Sequence, residues 1–79
     1  MIDYAKLKGL MAERGLEVTK LANLLGISRQ AASNKVNGKS PISLTDARTI
    51  AEALSMTKEE RDAIFLANVS SRRRQYDLL

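Results

Sequence analysis

Residues 18–38 read VTKLANLLGISRQAASNKVNG, two short segments hinged at Gly26-Ile27-Ser28. In the first, Val18, Leu21, Ala22 and Leu25 recur at i, i+3, i+4 and i+7, the spacing of one helix face, and Gly26 supplies a left-handed stop. Ser28 is a good N-cap, so the next helix starts at once at Arg29 and runs to Val36 or Asn37, where Gly38 ends it. A connection this short makes the two helices cross at a steep angle. Ala32 and Val36, four apart, face a core, which leaves Arg29, Gln30, Ser33, Asn34 and Asn37 on the opposite face.

The stretch continues as Gly38-Lys39-Ser40, the tail of the loop that nucleotide-hydrolysing enzymes wrap around phosphates. That loop needs a second glycine five residues before Gly38, so that several backbone N–H groups converge on one anion, and Ser33 stands there. It also needs a strand ahead of it, and residues 31–35, AASNK, lack β-branched and aromatic side chains. The match is a chance one.

Outside this pair the chain reads as three more helices. Asp3 caps a first helix in which Leu7, Leu10 and Met11 keep helical spacing until Gly15. After Pro41, the single proline, Ser43 and Asp46 form a capping box opening a fourth helix with Leu44, Ala47, Ile50, Ala51 and Leu54 as its apolar residues. Thr57 and Glu60 repeat that signal for a fifth helix, Lys58 to about Asn68, burying Ile64 with Phe65, Leu66 or Ala67. The expectation is an all-α, compact five-helix domain over residues 1–69, followed by a basic tail over 70–79 that holds Arg72-Arg73-Arg74 and ends in Tyr76, Leu78 and Leu79.

Composition narrows the chemistry. A chain of 79 residues supports one core. With aromatics at 4%, that core is built of Leu, Ile, Val, Met and Ala. There is no Cys and no His, which removes disulfides, thiolate or imidazole metal sites and most nucleophile–base pairs. No catalytic residue, metal site, cofactor or small-molecule ligand is expected. A nuclease would need converging carboxylates, and Glu59, Glu60 and Asp62 are better explained as acids at a helix start. No apolar run approaches the roughly 20 residues of a membrane span, so a soluble cytoplasmic protein is expected.

The formal charge of +4 is unevenly spread. Between Glu17 and Asp46 there is no acid, while Lys20, Arg29, Lys35 and Lys39 fall in that interval; residues 41–69 are mildly acidic. Solvated surfaces mix signs, so an acid-free interval of this length points to a polyanion. The outer-face residues suit DNA. Arg donates twice to guanine O6 and N7, and Gln or Asn pairs twice with adenine N6 and N7. Gly38 and Lys39 after the helix suit a phosphate, one by close backbone approach and the other by charge.

VTKLANLLGISRQAASNKVNG resembles the helix-turn-helix of the five-helix repressors and Cro proteins of temperate phages, and the likeness extends over roughly residues 3–68. The small residue in the second helix matches Ala22, the turn glycine Gly26, and the closing Asn-Gly-Lys step Asn37-Gly38-Lys39. GISRQ joined to NKVNGKS looks like a version common in phages of Gram-positive bacteria. The resemblance assigns base contacts to Ser28, Arg29, Gln30, Ser33 and Asn34, and backbone contacts to Asn37 and Lys39, beside the backbone contact expected at Gly38 from its chemistry. Where the family often opens its second helix with Thr and Gln, this chain has Glu17 and Val18, so Lys20 substitutes as the phosphate ligand. Lys35 stands at a commonly apolar place, with its stem packed and its ammonium exposed. The implied function is that of a Cro-like transcriptional repressor in a bacterial host cell, binding double-stranded operator DNA as a homodimer. The alternative is an interaction protein of the same fold that binds a partner repressor or a polymerase subunit.

Overall fold

A computed structural model describes residues 2–66. Five helices follow one another: α1 (Tyr4–Glu13), α2 (Val18–Leu25), α3 (Arg29–Val36), α4 (Leu44–Ala53) and α5 (Lys58–Phe65). The all-α architecture is the expected one. Residues 67–79, with the domain boundary at 69 and the tail residues Arg72, Arg73, Arg74, Tyr76, Leu78 and Leu79, lie outside the described part, as does the expected last turn of the fifth helix up to Asn68.

Starts and stops follow local chemistry. Asp3 accepts from the Lys6 amide, and Ser28 Oγ accepts from the Ala31 amide at 3.1 Å. Ser43/Asp46 and Thr57/Glu60 form complete capping boxes. Glu17 is the exception, since it caps α2 with no side-chain hydrogen bond.

The other ends share one device. In α1, α2, α3 and α4 an amide just past the helix bonds a carbonyl five residues back: Leu16 to Met11, Ile27 to Ala22, Lys39 to Asn34 and Met56 to Ala51, at 2.8–3.0 Å. The preceding residue is left-handed in each case: Gly15, Gly26, Gly38 and Ser55. This is the Schellman closure, which satisfies two orphan carbonyls per helix. Three of the four sites are glycine, as the sequence suggests; Ser55 holds φ 52° without that freedom.

Leu7, Met11, Leu16, Leu21, Val36, Ile50, Leu54 and Ile64 make the core. α2 packs on α3 and α4, and α1 packs on α3 and α5. Ala22 and Ala32, both buried, are small enough to let α2 and α3 approach closely. Leu44 departs from the expected apolar stripe: as the first residue of α4 it is 80% exposed, because the core-facing side of that helix begins a turn later.

Two ion pairs tie distant elements together, and both use a capping-box acid. Arg14, at the end of α1, grips Glu60 at 3.0 and 2.6 Å and donates to the Leu54 carbonyl at 2.8 Å. Lys35 on α3 donates to Asp46 at 2.8 Å and to the Pro41 carbonyl at 2.9 Å. The expectation that the Lys35 ammonium lies in solvent is corrected here. Its stem does pack, but the charge is drawn inward because Asp46, held by the Ser43 amide, offers a fixed carboxylate within reach.

Candidate nucleic-acid interface

α3 presents the candidate face. Arg29 and Gln30 open the helix and are exposed, Ser33 and Asn34 are half-buried one turn on, and Asn37 is exposed at its end. Arg29, Ser33 and Asn37 stand at i, i+4 and i+8, with Gln30 and Asn34 on the adjoining stripe. Among the described residues Arg29 has no carboxylate partner. Gln30 Nε2 donates to Asn34 Oδ1 at 3.1 Å, an exposed pairing that aligns the two amides and leaves each with donors for a base edge. A helix displaying Arg, Gln and Asn, with no acid on it, is chemically matched to the major groove.

The family profile described as Cro/C1-type HTH DNA-binding domain matches residues 6–60, which include α2, the turn and α3. The chain belongs to that family. Its members are DNA-binding domains rather than enzymes. Over 51 residues it is also 43% identical to a protein of Pyrococcus horikoshii described as an HTH-type transcriptional regulatory protein. That match covers 65% of this chain but only 16% of the relative. No solved structure matches the chain.

Within this Cro/C1-type frame the candidate phosphate ligands separate. Lys39 is exposed and follows the α3 closure directly. In α1, α2 and α4 the corresponding residue is apolar, Leu16, Ile27 or Met56, and at least half-buried; in α3 alone of the four it is a cation. Lys20 lies elsewhere, beside Arg14, Leu24, Thr49 and Glu52 on the α4 side of α2, apart from the α3 face.

The amides of Gly38 and its neighbours are already engaged within the helix end. The Gly38, Lys39 and Ser40 N–H groups donate to Lys35 and Asn34 carbonyls within the helix closure. Gly38 is required for another reason: its φ is +78°, and a Cβ there would sit 3.0 Å from the Tyr4 ring. The exposed cation at this point is the Lys39 side chain.

Asn37 is also committed, since its Nδ2 donates to the Ser33 carbonyl at 2.9 Å and its Oδ1 accepts from Lys8 Nζ at 2.9 Å. Lys8, on α1, was not singled out in the sequence, because it lies 29 positions from its partner and outside the acid-free interval. Two of the three acids at the start of α5 have structural partners: Glu60 in the capping box and the Arg14 pair, and Asp62 with Lys58 at 3.6 Å. Among the described residues no helix is long and apolar enough to cross a membrane.

Proposed function

We propose that the chain is a transcriptional repressor that reads an inverted-repeat operator as a homodimer, with α3 in the major groove of each half-site. The observation that carries this reading is the outer face of α3, where Arg29, Gln30 and Asn34 are displayed without an acid and closed off by Lys39. Ser28, Arg29, Gln30, Ser33 and Asn34 contact bases, and Lys39 contacts a backbone phosphate. Repression is by occlusion of a promoter, in the cytoplasm of a bacterial cell and in the manner of a phage Cro protein. The relative's description as a transcriptional regulatory protein supports the regulatory role.

A second copy is expected to dock through α5 and the groove it makes with α4, where Leu44, Met56, Phe65 and Leu66 are gathered. The same groove favours the second reading, in which the fold binds a partner repressor or a polymerase subunit. Footprinting on DNA flanking the protein's own gene separates the two. Protection of a short inverted repeat, lost as salt rises, supports the repressor; no protection with retained protein–protein association supports the other.

A further inference from the structure

Lys8 is the charged residue of the α3 neighbourhood to which nothing above gives a function. It projects from α1 across the end of α3, its ammonium 2.9 Å from Asn37 Oδ1, and among the described residues it has no carboxylate partner. A single neutral hydrogen bond leaves two of its three N–H donors and its full charge unused. Asn37 cannot itself serve as a free donor, because its amide group is turned to Ser33. The pair therefore has one direction: Asn37, anchored on α3, holds the Lys8 ammonium at the rim of the helix.

The surroundings suit an elongated anion. Lys8 lines one recess with Thr19 and Val18 at the start of α2 and with Arg29 and Asn37 on the outer stripe of α3. Glu17 lines the same recess, yet lies within ion-pair distance of neither Lys8 nor Arg29. Lys8 thus flanks α3 from the α1 side, while Lys39 follows its C-terminal closure.

Resting on the DNA-binding reading, we propose that Lys8 is a DNA phosphate ligand and that Asn37 is its positioning residue rather than a phosphate ligand itself.

The test measures the salt dependence of binding to operator duplex and to random duplex for the wild type, Lys8→Met, Lys39→Met and Asn37→Ala, with thermal melts confirming that each folds. Lys8→Met is expected to weaken both duplexes by the same factor and to lower the slope of log K against log salt by about one unit. Asn37→Ala is expected to lower affinity while keeping the wild-type slope, since the charge remains but is no longer held. An unchanged slope in Lys8→Met beside a lowered slope in Lys39→Met overturns this inference and leaves the DNA-binding reading intact. Wild-type binding that does not respond to salt overturns both. A slope lowered in Asn37→Ala as much as in Lys8→Met makes Asn37 a ligand and removes its positioning role.

Discussion

Lys35 and Lys39 are one helical turn apart in sequence, and the fold gives them opposite tasks. Lys35 turns inward, 20% exposed, to an acid that also caps α4, whereas Lys39 stands in solvent beyond the helix end. Lys35→Met should therefore lower stability by about 1.5–3 kcal/mol, the range for a hydrogen bond to a charged group, and leave the salt slope of DNA binding unchanged. Paired thermal melts and salt titrations check this; a slope lowered by about one unit would put the Lys35 ammonium on DNA. Ser55 supports a second expectation at this scale. A serine at φ 52° is strained where glycine is not, so Ser55→Gly should raise stability by about 0.5–1 kcal/mol in denaturant unfolding, and a loss would show that the side chain makes a compensating contact. Neither residue's situation was legible in the sequence. A serine carries no mark of a left-handed conformation, and the Lys35 partner is fixed by how α3 and α4 pack. What was legible was chemical type: Arg29, Gln30 and Asn34 carry groups that can pair with base edges, and it is the acid-free interval and the turn spacing around them that turn this into an expectation of base readout.

The helices themselves were read almost entirely from caps and periodicity, because each boundary is set by residues within a turn of it. Ser28, Ser43 and Thr57 start helices through their own oxygens, and Gly15, Gly26 and Gly38 close them. What exceeded local reading was the double use of the capping-box acids, in which a cation from a distant helix completes each box. The Lys35 hydrogen bond above all, and the Ser43 bonds after it, hold the Asp46 carboxyl below its ordinary range. The Arg14 guanidinium, then the Thr57 amide, does the same for Glu60. Both groups bind protons less readily folded than unfolded. Their contribution is complete above the range where free carboxylates titrate, about pH 4, and is lost as pH falls through the lower folded-state values. Melts from neutral pH downward should show stability holding to about pH 5 and then dropping. The Asp46→Asn, Glu60→Gln double variant should begin less stable and drop less steeply; an acid profile parallel to that of the wild type would mean that other carboxylates govern the transition.

At the scale of the whole molecule, one α3 offers too few contacts for an operator. Each bidentate base contact discriminates by about 1–3 kcal/mol, against the roughly 4–10 kcal/mol that separates specific from nonspecific binding. The proposed homodimer would meet that requirement with two copies related by a twofold axis, reading half-sites centred about 34–36 Å apart, one turn of DNA. The central claim is that α3 carries the sequence information, and selection from a random duplex library tests it most directly, run in parallel with the wild type and an Arg29→Ala, Gln30→Ala double variant that is shown to fold. The wild type should enrich an inverted repeat with that spacing. The double variant should retain salt-sensitive binding to duplex while losing enrichment at the bases those side chains read, by about 1–3 kcal/mol per contact. The same enriched motif from both proteins, or no motif from the wild type, contradicts the account.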